Sequence, residues 1–148
     1  MKKKRKNKKL PKDKQLRYET EAINQWGKDR VVESTQRWNS YGKDKKELIK
    51  EECRSIFQEL ADNMQLGVES ELVRDILIKW HQFLCYFYEP SLEVLRGLGD
   101  VYTYSPEFRK FFEDIDPELP DFLQESINFY VDELEMQWLE SQYEVLRE

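Results

Sequence analysis

His81 is the only histidine of this 148-residue chain, and Cys53 and Cys85 are its only thiols, so the inventory of reactive groups is short. One histidine rules out histidine-pair zinc centres and the Glu-x-x-His pairs of di-iron bundles by count, and no metal site is expected. Neither cysteine stands at a recognisable spacing from a histidine that would activate it. Cys53 falls on the apolar stripe of a helical repeat and reads as a small hydrophobe. Glu51, Glu52, Asp114, Asp116, Asp132, Glu133 and Glu135 could pair for proton transfer, but their spacing is that of solvated helix faces. Gly97-Leu98-Gly99 has no strand before it and is not a nucleotide fingerprint. The expectation is a protein that is not an enzyme and uses no cofactor.

The residues offer binding surface instead. Seven of the twenty aromatic residues fall between Phe87 and Phe112, in FYEPSLEVLRGLGDVYTYSPEFRKFF, with Trp80, Phe83 and Tyr86 just upstream. Such a stretch reads as the wall of an apolar pocket, where rings supply stacking area and Tyr or His tips give a few oriented hydrogen bonds.

Charge divides the chain. Residues 1 to 17 carry ten Lys or Arg against Asp13 alone, leaving 14 basic and 29 acidic groups for the remainder. The acidic body repels phosphate backbones, so only the tail could attract nucleic acid. Residues 1–15 are expected to form a disordered basic tail, lacking the apolar periodicity that offsets ordering entropy, and residues 16–148 one folded domain. No apolar run approaches the roughly 20 residues of a membrane span, and no export signal is recognisable. A cytoplasmic protein with free thiols and no membrane association is the expectation.

The elements that must position these residues are helical. Leu16, Ile23 and Trp26 predict a short helix stopped by Gly27, and Val31 to Tyr41 a second one ending at Gly42. Lys43 to Leu66 shows Leu48, Ile49, Cys53, Ile56, Phe57, Leu60, Ala61 and Met64 at spacings of three and four, the mark of a long helix with one apolar stripe, and Gly67 ends it. Between Ser70 and Tyr88 the apolar set Leu72, Val73, Ile76, Leu77, Trp80, Phe83, Leu84 and Phe87 covers more than one stripe, which makes this the best candidate for the core helix. Further helices are predicted from Ser91 to Tyr102, from Pro106 to Ile115, and from Pro117 or Pro120 nearly to the C-terminus, with Ser105-Pro106 and Asp116-Pro117 as cap and first-turn pairs. No segment sustains a period of two and no internal repeat appears, so the fold class is all-α. Gly97 and Gly99 each cost up to about 1 kcal/mol inside a helix, so a crossing helix or a ligand should meet the backbone there.

At these residues the chain resembles the TipAS antibiotic-recognition domain, usually fused behind a MerR-type DNA-binding domain. The matching positions are Phe87, Tyr88, Glu89, Ser91, Glu93, Leu95, Gly97, Leu98, Gly99, Tyr102 and Phe108. Trp26, Gly27, Ser34 and Tyr41 match upstream, and Leu119, Phe122 and Ile127 downstream. The resemblance runs from about Tyr18 to Tyr130. It implies a globin-like helical domain with a deep ligand cleft for bulky, largely apolar antibiotics, and N-terminal helices that close over bound drug. It places Trp26, Tyr41, Tyr88 and Tyr102 in that cleft; helical facing and proximity add Trp80, His81, Ser91, Val94 and Leu98. Thiopeptide-binding members capture a dehydroamino acid with a cysteine whose position here is Pro90, so binding is expected to be reversible.

No DNA-binding domain is recognisable within this chain, which suits a stand-alone module that sequesters or senses drugs. The alternatives are a protein interaction module whose basic tail touches nucleic acid, and a truncated MerR-type regulator. The apolar residues beyond Tyr130 are expected to pair with a second copy, as a homodimer, or to cover the body.

Overall fold

A computed structural model describes residues 28–147, and every regular element in that range is helical. The basic tail and the helix predicted up to Trp26 lie outside the described residues. Six α-helices follow: α1 Lys28–Ser40, α2 Lys43–Asp62, α3 Glu71–Leu84, α4 Leu92–Tyr104, α5 Pro106–Ile115 and α6 Leu119–Arg147, with a 3-10 turn at Met64–Leu66 between α2 and α3.

Local chemistry sets the boundaries. Gly67 adopts φ 87°, a conformation that L side chains rarely adopt, and turns the chain out of the 3-10 segment. Ser70 Oγ then accepts from the Leu72 and Val73 amides at 3.1 and 3.4 Å, capping α3. Pro106 occupies the first turn of α5, as its missing donor and fixed φ allow. Ser105 precedes it without a side-chain bond to the helix, unlike the expected cap. Asp116 Oδ1 accepts from the Glu118 amide at 2.9 Å, and α6 begins at Leu119.

The core is one cluster in which α4 and α6 form the most extensive helix pair. Leu119, Leu123, Ile127 and Val131 recur on one face of α6 and are each fully buried, and α2, α3, α4 and α5 all pack against this helix. The hub is therefore α6 rather than α3, although α3 buries six side chains of its own. A Cβ built on Gly99 would lie 3.5 Å from Ile127 Cγ2, an ordinary van der Waals separation. A crossing helix thus meets the backbone at Gly99. Because that gap admits one methyl, Gly99→Ala is expected to stabilise the fold by about 1 kcal/mol through helix propensity, read as a higher urea midpoint at unchanged slope. Valine or leucine there should reverse the sign.

Two features depart from a closed globule. Helix α6 runs on beyond its buried half, leaving Met136, Trp138, Leu139, Tyr143, Val145 and Leu146 exposed. Helix α1 packs only weakly, and three anchors at its C-terminal end tie it to the turn after α3. Arg37 Nη1 donates to the Cys85 carbonyl at 2.9 Å, the Tyr41 hydroxyl donates to the Tyr86 carbonyl, and Trp38 stacks on Phe87.

Candidate functional site

An open groove of about 500 Å3 lies where α1 faces α2, α3 and α5. Helix α1 contributes Ser34, Thr35 and Trp38, one helical turn of a single face. Helix α2 contributes two adjacent rows: Ile49 and Cys53 form part of the floor, while Lys50 and Arg54 stand exposed at the mouth. Phe83 from α3, Phe87 from the turn after it, and Phe111 from α5 complete the apolar lining. Trp38 and Phe87 stack with ring centroids 5.8 Å apart and planes 30° apart, and Phe83 meets Phe87 edge-on at 5.7 Å. The Lys46 ammonium sits 5.3 Å from the centre of the Trp38 ring. The volume suits a drug-sized molecule, and the lining pairs a largely apolar floor with few polar groups, as in small-molecule sites generally.

The TipAS antibiotic-recognition domain matches residues 18–130. The chain belongs to this family. Over 122 residues it is 29% identical to the HTH-type transcriptional activator mta of Bacillus subtilis, covering 82% of this chain and 48% of that protein. Over 125 residues it is 26% identical to the HTH-type transcriptional regulator SkgA of Caulobacter vibrioides, covering 80% of this chain and 49% of that protein. The chain thus spans about half the length of the curated relatives it matches. No solved structure matches it.

Within this TipAS domain, five of the residues expected in the cleft belong to the buried cluster: Trp80, Tyr88, Val94, Leu98 and Tyr102. Trp80 Nε1 donates to the Tyr102 hydroxyl at 3.4 Å, and the two rings meet edge-on at 6.4 Å. Burial pushes the Tyr102 phenol far above its ordinary range, so it stays neutral at any physiological pH. Ser91 is the N-cap of α4, its Oγ accepting from the Val94 amide at 3.1 Å. Tyr41 closes the end of α1 against Tyr86 and leads into Gly42, beside the groove but outside its lining. Trp26 lies outside the described residues.

His81 is on α3, with Nδ1 2.7 Å from the Tyr130 hydroxyl of α6. Burial lowers its pKa from the ordinary histidine value, and the nearby Glu89 carboxylate opposes that shift only partly. A histidine with a depressed folded pKa favours folding above its unfolded value and loses that contribution as pH falls through the folded one. The melting temperature should therefore drop between pH 7 and pH 5 more steeply for the wild type than for His81→Gln. Parallel melting curves for the two proteins would show His81 to be inert.

None of the eight described residues expected in the cleft lines this groove; Phe83, Phe87 and Phe111 belong to or adjoin the aromatic wall read from the sequence, whereas Ser34, Thr35, Trp38, Ile49, Lys50, Cys53 and Arg54 were not expected to line a site. Their one local signal is that Trp38 stands three positions before Tyr41 on a helix too polar to be core, which is how a lid presents a ring. Burial raises the Cys53 thiol above its ordinary pKa, so it remains protonated and a poor nucleophile. Cys85 is raised too, by burial and then by Glu89. Among the described residues no group of three or more potential metal ligands comes together, and no helix is long and apolar enough to cross a membrane.

Proposed function

We propose that this TipAS domain binds bulky, largely apolar antibiotics or similar drugs reversibly in the groove under α1, as the recognition element of a drug-responsive transcriptional system. The observation that carries the proposal is the groove itself, an aromatic lining of drug size assembled against the lightly docked helix α1. Family membership and the two transcriptional relatives support the same reading. Trp80, Tyr88, Val94, Leu98 and Tyr102 serve as the layer beneath the floor in this proposal, and Tyr41 as the hinge contact of the lid. Reversibility is supported by Pro90, at the position the resemblance gives to the capturing cysteine, and by the protonated state of Cys53.

Titration of intrinsic tryptophan fluorescence with thiopeptides and other bulky antibiotics tests it. A saturable change with at least one drug is expected, since Trp38 lines the site. A flat response across the panel at micromolar concentrations would sink the proposal. A mass increase after mixing with a thiopeptide would refute reversibility alone.

A second copy is the proposed partner for the free end of α6. Met136, Leu139, Tyr143 and Leu146 recur at spacings of three and four and are exposed, the pattern of an unpaired helix face. Deleting residues 137–148 should leave the urea midpoint nearly unchanged while halving the solution mass. Equal mass before and after, apart from the removed segment, would count against self-association.

A further inference from the structure

The groove is apolar at its floor and positively charged at its mouth, in a body that is otherwise acidic. Outside the basic first seventeen residues the chain has 29 acidic against 14 basic groups. Yet the described residues lining the groove include Lys50 and Arg54 and no carboxylate. The two cations stand four positions apart on α2, one helical turn, directly above Ile49 and Cys53. Lys50 lies 3.7 Å from Glu47 in an exposed pair, which is worth little and easily exchanged. Arg54 makes no hydrogen bond or ion pair with any described residue. Four other arginines of the body are engaged by carboxylates: Arg37 with Glu33, Arg74 with Glu133, Arg96 with Asp132 and Glu135, Arg109 with Asp121 and Glu113. Across the mouth, Ser34 of α1 adds a hydroxyl.

Resting on the proposed ligand-binding reading, we infer that the groove selects amphiphiles with a flat aromatic body and one anionic group, a carboxylate or sulfonate, and discriminates against cationic drugs. The aromatic body lies between Trp38 on the lid and Phe83, Phe87 and Phe111, as aromatic linings favour. The anion sits between Lys50 and Arg54, where the adjacent apolar floor strengthens the attraction relative to open water. Arg54 offers a planar fork that grips two oxygens at once, and Lys50 a mobile point charge. A cation in the same place would meet two positive charges, with no carboxylate among the described lining residues to offset them.

The test uses two probes that share one body, 8-anilinonaphthalene-1-sulfonate and its uncharged counterpart N-phenyl-1-naphthylamine. The full chain is titrated with each, alongside the double variant Lys50→Gln, Arg54→Gln. Both side chains are exposed, so the double substitution leaves the core untouched. The expected result is about tenfold tighter binding of the sulfonate by the wild type, shrinking with added salt, and near-equal affinities in the double variant with the neutral probe unchanged. Equal affinities in the wild type, or a sulfonate preference that survives the double substitution, would overturn the inference. Binding of the neutral probe in that case still upholds a ligand groove, and binding of neither probe overturns the inference while leaving the broader reading to the antibiotic titration.

Discussion

Replacing Trp80 by alanine is expected to destabilise the protein by about 3–5 kcal/mol, read as a lower urea midpoint at unchanged slope. The indole is 1% exposed and lies in the shared core cluster. It meets Tyr102, which in turn packs on Phe57 and Phe112 at ring separations of 6.2 and 5.0 Å. Alanine would remove the largest fully buried side chain, leave a ring-sized void between helices that cannot collapse independently, and take the donor from a buried phenol. Since a domain of this size has a total stability of about 5–15 kcal/mol, that loss is a third or more of it over most of the range. Trp80→Phe keeps most of the volume and should cost roughly half as much. A loss below about 1 kcal/mol for the alanine variant, paired with a large change in drug affinity, would instead make Trp80 a wall of the ligand site.

The same residue shows why sequence reading reached the fold more surely than the site. Helices α2 to α6 were legible because their boundaries are local chemistry: Gly67 with its positive φ, Ser70 and Ser91 as caps, Pro106 in a first turn. Apolar periodicity also found the core faces, though Leu48 and Leu72, counted with the stripes of α2 and α3, stand one position off and are 68% and 40% exposed. Periodicity reports that a face is apolar; it does not report whether a helix or a ligand covers it. Trp80, Val94, Leu98 and Tyr102 belong to helix-covered faces, and nothing local distinguishes them from cleft residues. The groove depends on α1 meeting α2, α3 and α5, a long-range arrangement in which Lys50 and Arg54 acquire meaning only because Trp38 and Phe87 stack nearby. Neither the period nor the composition of α2 singles those two cations out from its other charges.

The second large effect falls on that stacked pair. Trp38→Ala is expected to weaken binding of N-phenyl-1-naphthylamine by about tenfold to a hundredfold, measured by calorimetry. That corresponds to losing the burial of one large ring, about 1.5–3 kcal/mol, together with its stacking. Trp38 has two functions in the proposed site, and both fail together. Its ring is the main apolar surface that the described part of α1 offers the ligand, and its contact with Phe87 is one of the few ties between α1 and the turn after α3 among the described residues. Without it the lid keeps the Arg37 and Tyr41 hydrogen bonds but has no apolar reason to stay down, so bound probe should dissociate faster rather than associate more slowly. Trp138→Ala is the matched control, an exposed tryptophan on the free end of α6 and outside the groove's lining, and should leave the affinity unchanged. If Trp38→Ala binds as well as the wild type, the ligand does not enter under α1. The buried layer around Trp80 would then have to open to admit it, a route that predicts association limited by that opening and so slower than entry into a surface groove.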